Sequence, residues 1–398
     1  MNIGIICNEL PPGPLGGIGT FTTELAAGLM ESGHSVQLMC VDNGAQADTC
    51  ESVTPRLHVH RVAGGTGRFA GYFSRLKLFR LVRRLAIEGE LDLVEVPDFE
   101  GWCAGWRKLP VPVVVRLHGS ATYFAAEMRR PIATSVRWLE RLALQRADRL
   151  VSVSRYTADR TAEVFGLPLS PAILHNSVVI PDPDRIKSDY RSHDLVCYSG
   201  TLVEKKGVFA LARSWPLIKR RCPNARLMMI GRDGGHEGRS SVEVIRELAG
   251  SQADSIDMIG HKPKAELEHL LIAADAAVYP SFTEAFALAP MESMALGVPT
   301  IYTIRASGRE LVRHGVDGWL CEPDNINQLA DQIATLLENE SLRRQFGEAG
   351  RRRIIADFCY ETFVQNNIDF YQRCITSAPL RASRTRQTNL LPFRDRPR

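Results

Sequence analysis

Short apolar runs rich in β-branched residues recur along the first half of the chain, NIGIIC, SVQLMCV, LDLVEV, VPVVVRLH and RLVSVS, with amphipathic segments such as FTTELAAGLMESG between them. This alternation predicts a parallel sheet covered by helices. A second series follows, DLVCYSG, ARLMMIG, DSIDMIG, AAVYPS, TIYT and GWLCEP. Two such series predict an α/β chain of two Rossmann-like, doubly wound domains facing each other across a cleft. The stretch HNSVVIPDPDRIKSDYRSHD, rich in Pro, Asp and Ser, reads as the linker. The expected division is therefore 1–180 and 195–355 as domains with 181–194 between them. A last helical segment follows over 356–376, and a disordered basic tail from 377 to 398.

Composition narrows the classes of function. At 398 residues, with 44% hydrophobic and 24% charged, the chain is long enough to bury two cores. A net charge of only +4 does not suggest nucleic acid as a partner. The nine cysteines form no C-x-x-C pair and no Cys/His group of zinc spacing, which predicts reduced thiols and no structural metal. The chain opens directly on the strand MNIGIICNE, and no run approaches the length of a membrane span, so a cytoplasmic protein is expected. The D-x-D-like pair Asp182 and Asp184 has a proline between its acids and lies in the linker, and is assigned no metal role.

Candidate chemistry gathers at strand ends. In SFTEAFALAPMESMALGVPT, Pro290 suits a first helical turn and Gly297 a terminator, predicting a helix from about Pro290 to Leu296. Its N-terminus offers an anion site, with Glu284 and Glu292 able to accept hydrogen bonds from sugar hydroxyls on either side. Alternatively, Glu292 only favours the helix dipole and Glu284 is a solvated loop charge. The first loop, NELPPGPLGGIGTF, has Gly16, Gly17 and Gly19 where backbone could approach a phosphate, but lacks the G-x-G-x-x-G spacing of dinucleotide binders. Asp42 alone fits that rival motif. His118 ends VPVVVRLHGS, and Lys206 and Gly207 follow the first strand of the second series, both positions where ligands collect. Arg68 to Gly89 predicts a helix with Phe69, Phe73, Leu76, Phe79, Val82 and Leu85 along one stripe, and Arg75, Lys77, Arg80, Arg83 and Arg84 around the rest. Such a helix either lies on an anionic membrane surface or packs on its own sheet with a solvated basic face.

The spacing of Glu284 and Glu292 resembles the E-x(7)-E element of retaining glycosyltransferases of the GT-B superfold, in particular family four. GGI at 16–18, the strand-end HG at 118–119 and G-x-L-x-x-x-K-G from Gly200 resemble other elements of that family, in the same order. The resemblance implies transfer of a sugar from a nucleoside diphosphate-sugar to an acceptor hydroxyl with anomeric retention. The acceptor would be a glycan or a lipid-linked sugar, as in the biosynthesis of cell-surface polysaccharide or glycoconjugates, with the enzyme cytoplasmic or peripheral on the inner membrane face. It further implies a first domain on the acceptor side, a second that binds the nucleotide-sugar, and a final helix that crosses back to the first.

By the same resemblance His118 and Glu284 touch the transferred sugar and Glu292 the ribose. The backbones of Gly16, Gly17, Ala287 and Leu288, with Thr201 and Lys206, would hold the diphosphate, and no cofactor or metal is implied. Thr201 stands where the family commonly has arginine, and Lys205, Arg232 and Lys262 are the cations that could replace it. A nucleotide-sugar epimerase of the same superfold, or a non-catalytic nucleotide-sugar sensor, are the alternatives.

Overall fold

The structure is a computed structural model, and it describes residues 1–7, 9–10, 16–65, 67, 70–182 and 194–377. The interior of the predicted linker, the tail beyond Ser377, and Arg68 and Phe69 lie outside the described residues. The apolar runs become strands because their β-branched side chains are buried on both faces of a sheet.

The first sheet contains β1 (Asn2–Ile6), β2 (Ser35–Asp42), β3 (Thr49–Thr54), β4 (Leu57–Ala63), β5 (Leu93–Pro97), β6 (Val113–Leu117), β7 (Arg149–Ser152) and β8 (Ala172–Ile173). Its eight strands run in the order β3-β4-β2-β1-β5-β6-β7-β8, parallel except for the antiparallel pair β3–β4. The second has β9 (Leu195–Ser199), β10 (Arg226–Ile230), β11 (Ile256–Gly260), β12 (Ala276–Tyr279), β13 (Thr300–Thr303) and β14 (Trp319–Cys321). Its six strands run β11-β10-β9-β12-β13-β14. Strand order reverses direction at β1/β5 and at β9/β12, so the crevices beyond the carboxyl ends of those strands are where a doubly wound fold takes its ligand.

Three strands were not legible in the pattern. β3 is exposed at every position and β8 is two residues long, so neither carries an apolar signal, while β4 breaks its own alternation with His58 and His60. The hairpin β3–β4 forms the edge of the sheet, where polar residues are tolerated because one side meets water.

The final helix, Tyr360–Thr376, crosses back to the first sheet. Phe363, Val364, Ile368 and Tyr371 complete the core formed by Ile3, Phe21, Leu25 and Leu93. Close approach is possible because Gly28 faces Val364, where a Cβ would lie only 2.3 Å from Val364 Cγ2. Beneath that contact, Arg116 on β6 is fully buried. It makes a bidentate pair with Glu95 on β5 (2.7 and 2.8 Å), and its guanidinium also donates to Asn367 Oδ1 at 2.6 Å. Tyr371 donates to Glu95 Oε2 at 2.7 Å.

The amphipathic helix spans Ala70–Glu88 and buries Ser74, Leu78, Val82, Leu85 and Ala86 against the first sheet's core. The expected stripe is thus corrected at its N-terminal end, where Tyr72 and Phe73 are exposed. Two of its five expected surface cations are also tied down. Arg75 donates to the carbonyls of Gly101 and Glu100 and lies over Trp102, and Lys77 donates to Ala63 O at 3.0 Å. Arg80, Arg83 and Arg84 face outward and are exposed. Among the described residues no helix is long and apolar enough to cross a membrane.

Candidate active site

After β12 the chain turns through Pro280–Ala287 into the helix Leu288–Ala295, which starts two residues before the expected Pro290. Pro290 falls in the third helical position, still within the first turn where its missing N–H has no helical acceptor to lose. No side chain caps this end, and Ala287, Leu288 and Ala289 line the interdomain cavity, so the first-turn N–H groups are left for a ligand. Ala287 has φ −76° and ψ 138°, ordinary extended backbone, and alanine is therefore unstrained where the resembled family has glycine.

The other domain fixes this loop by its carbonyls. Tyr123 donates to Glu284 O at 3.2 Å, Ser154 and Thr157 donate to Ala285 O at 2.8 and 3.1 Å, and Asn176 Nδ2 donates to Phe286 O at 2.7 Å. Carbonyls held toward the first domain aim the alternate face of the loop into the cleft. None of these four residues was identified from sequence, because a hydroxyl or an amide whose partner lies in another domain leaves no local pattern.

The Glu284 side chain is 7% exposed and points into the cavity, where Lys206 Nζ approaches both its oxygens at 2.7 and 2.9 Å and Ser281 Oγ donates at 2.8 Å. Lys206 is thus not a solitary ammonium awaiting phosphate; it is already partnered with the predicted sugar-binding carboxylate. Gly207 makes this placement possible. Its φ is +74°, and any Cβ would lie 1.8 Å from Pro280 O, so only glycine lets the turn Glu204–Lys206 press against the β12 loop. Glu292 lines the same cavity, with burial raising its pKa and Lys264 opposing that shift.

His118, at the end of β6, faces this pair across the cavity. Its ring packs edge-on against Phe21 at 4.7 Å between centroids. Burial, with the charge of Arg116, pushes its pKa down to about 3, so the imidazole is neutral at physiological pH. Its backbone N–H donates at 3.0 Å to Asp98 Oδ1, a fully buried carboxyl whose pKa is raised to about 7, chiefly by burial. Glu140, also fully buried, accepts from the N–H groups of Ala121 and Thr122 and braces the loop that follows.

The first loop corrects one expectation. The Gly16 N–H is taken by Glu9 Oε2 at 3.0 Å, which also accepts from Gly19 N at 2.8 Å, so a carboxylate of the chain itself sits at the start of the helix Gly17–Glu31. Gly17 is exposed, with open space beside it at the cavity wall. Asp42, the one residue that fitted a dinucleotide motif, accepts from Gly44 N at 2.9 Å and closes its own turn. Thr201 is exposed on the cavity wall. The cavity has a volume of about 610 Å³ and brings together Gly16, Gly17, His118, Thr201, Lys206, Glu284, Ala287, Leu288 and Glu292. Among the described residues no group of three or more His, Cys, Asp or Glu is arranged to hold a metal ion.

A further missed residue is Glu310, which follows β13. Its carboxylate accepts from the N–H groups of Arg155 and Tyr156, both at 2.8 Å, and lies 3.1 Å from His175 Nε2. A second-domain acid thereby caps a first-domain helix, Arg155–Phe165. Burial alone would raise its pKa, but His175 and the two backbone donors hold it below the usual carboxylate range.

Two family models match the chain in tandem, Glycosyltransferase Family 4 over residues 15–180 and Glycosyl transferases group 1 over residues 184–353. Glycogen synthase from Mycobacterium tuberculosis is 23% identical, with 93% of this chain and 94% of that protein aligned. Sucrose-phosphate synthase from Thermosynechococcus elongatus superposes with a TM-score of 0.78 at 18% identity, covering 94% of this chain and 99% of that one. HepE from Anabaena, in complex with UDP and glucose, gives 0.70 at 17% identity over 94% and 99%. At these identities the structural likeness establishes the fold.

Proposed function

The chain belongs to the family-four, group 1 glycosyltransferases of the GT-B fold, and from that premise we propose that it moves a sugar from a nucleoside diphosphate-sugar to an acceptor hydroxyl with retention at the anomeric carbon. The observation that carries this reading is the uncapped helix start at Leu288, with the Lys206–Glu284 pair and neutral His118 around the same cavity. A helix terminus favours the negative charge that develops on a departing diphosphate, which is where preorganised electrostatics help most. Glu284 accepts from the hydroxyls of the transferred sugar, and Lys206 orients that carboxylate. Glu292, at the far side of the first helical turn, accepts from the ribose. His118 is neutral and acts by contact with the sugar rather than by carrying charge. Binding of UDP and glucose by HepE supports a donor of this class.

The diphosphate is neutralised by protein groups in this scheme, so we place no metal in it. For the acceptor, the outward face of helix Ala70–Glu88, with Tyr72, Phe73, Arg80, Arg83 and Arg84, supports a lipid-linked sugar at an anionic membrane surface. Such an acceptor would put the reaction in the building of cell-surface polysaccharide or glycoconjugates.

The test is a donor screen by thermal shift followed by product analysis. A ligand at a hundred times its dissociation constant stabilises by about 2.7 kcal/mol. The donor identified this way should be turned over with acceptor, in the presence of EDTA, to a product with the donor's anomeric configuration. Glu284→Ala and His118→Ala should each lower turnover at least tenfold, whereas Glu292→Ala should raise the donor KM and spare turnover. Epimerised donor without transfer, or tight binding with no turnover, would replace the reading by an epimerase or a sensor. Normal turnover in both the Glu284 and His118 variants would overturn the site assignment.

A further inference from the structure

The diphosphate of the proposed donor carries two negative charges, and the cations that line the cavity are unequally available to meet them. Lys206 is bound to both oxygens of Glu284, so that pair presents little net charge. Lys262 is paired with Glu266 at 2.9 Å. Lys205 lies over the Phe124 ring, with its nitrogen 4.3 Å from the centroid, and burial lowers its pKa. Arg232 differs from all three. It lines the cavity, is exposed, and has no carboxylate within ion-pairing distance among the described residues. The neighbouring Asp233 does not compensate it, because that carboxylate is spent on Ser240, Gly235 N and Ser241 N within its own loop.

The backbone explains why Arg232 sits here. β9 and β10 run parallel and continue past their strand ends, where Gly200 donates to Ile230 O at 2.9 Å and Leu202 to Arg232 O at 2.8 Å, and Leu202 and Asp233 form a parallel bridge. Gly231 allows that approach, since a Cβ there would lie 1.8 Å from Gly200 O. Thr201 and Arg232 are therefore register neighbours on adjacent strand-end loops, and side chains at matched positions of parallel strands leave on the same face. Both line the cavity.

We infer that Arg232 is the guanidinium that binds the donor diphosphate, and that a guanidinium at position 201 is interchangeable with it. This rests on the nucleotide-sugar reading above. A planar fork of five N–H donors fits two phosphate oxygens at once, which an ammonium cannot do.

The experiment is calorimetric titration of the full chain with UDP, GDP, ADP and inorganic pyrophosphate, in wild type, Arg232→Ala, Arg232→Lys and the double variant Arg232→Ala/Thr201→Arg. Arg232→Ala should weaken the diphosphate that wild type binds best by at least tenfold, and Arg232→Lys should recover only part of the loss. Adding Thr201→Arg to Arg232→Ala should restore affinity to within about threefold of wild type. Because residue 232 is exposed, loss of folding is not expected, and equal melting temperatures without ligand verify this. Wild-type affinity in Arg232→Ala would overturn this inference alone. Failure of wild type to bind any of the nucleotides would overturn the nucleotide-sugar reading and this inference together. Loss in the single variant without rescue at 201 would overturn the interchange of the two positions.

Discussion

Beneath the turn that carries His118 lies a carboxyl with half its hydrogen-bonding capacity unused. Asp98 Oδ1 accepts the His118 N–H, and Oδ2 has no partner. Its folded pKa of about 7 lies above the ordinary value of about 3.9, so the folded chain holds this proton more tightly than the unfolded one. The stabilisation is fully present below the unfolded pKa and is lost as pH rises through 7. Asp98→Asn keeps an acceptor for His118 and a neutral group at the other position. Relative to wild type, its melting temperature should rise steadily between about pH 4 and pH 7 and level off above. Thermal melts at unit pH intervals check this, and a difference independent of pH would mean that Asp98 is ionised throughout. His118 contributes the opposite slope. Its pKa is depressed to about 3, so stability falls as acid protonates the unfolded chain below about pH 6.5. His118 was legible in sequence because it ends a strand, and Glu284 and Glu292 because of their spacing around a helix start. Asp98 was not, since nothing in VEVPDFEG distinguishes a buried acid from a solvated one.

At the scale of elements, the loop between β12 and its helix is held by donors from the opposite domain, and the cost of losing one can be stated. Ser154→Ala removes the 2.8 Å bond to Ala285 O and the Ser154 cap of helix Arg155–Phe165. Thr157 still donates to Ala285 O at 3.1 Å, so the lost bond costs about 0.5–1.5 kcal/mol and the lost N-cap about 1 kcal/mol more. Asn176→Ala removes only the loop bond and should cost about 1–3 kcal/mol. Chemical denaturation measures both, and the two losses should be of similar size. Helix Ala70–Glu88 shows the reverse limit of sequence reading. Its period predicted a helix correctly, yet the position of the buried face shifted, because aromatic residues at its start had no core within reach. With Arg75 and Lys77 bound to backbone, surface attraction falls to Arg80, Arg83 and Arg84. Changing those three to glutamine should abolish cosedimentation with anionic vesicles, at roughly 1 kcal/mol per charge near the surface, and leave donor binding intact. Wild-type protein that stays in the supernatant at low salt would favour an acceptor in solution.

Over the whole molecule, the presence of two sheets, one per half of the chain, followed from the alternation of apolar runs, while their strand order and the bonds between them did not. Glu310, Lys264 with Glu24, and Arg130 with Glu204 each join one domain to the other, and each looks in sequence like any surface charge. The buried pair between Arg116 and Glu95 is different in kind. Glu95→Gln would leave the guanidinium without its counter-charge in the interior, where breaking such a pair costs about 3–5 kcal/mol. Unfolding in denaturant should show that loss in the first domain, with the second domain's transition unchanged.

The same network has a consequence for how the chain is made. Asn367 and Tyr371, which complete the coordination of Arg116 and Glu95, belong to a helix synthesised after the entire second sheet. Domains generally fold as units while they emerge from the ribosome, the earlier one first. Here the earlier sheet waits with its apolar face and a buried charge uncovered, and the later domain, whose own core draws almost nothing from residues before 178, can finish ahead of it. His118, one residue beyond Leu117 at the end of β6, packs on Phe21, which in turn packs on Phe363, and therefore acquires its final setting only when the last helix docks.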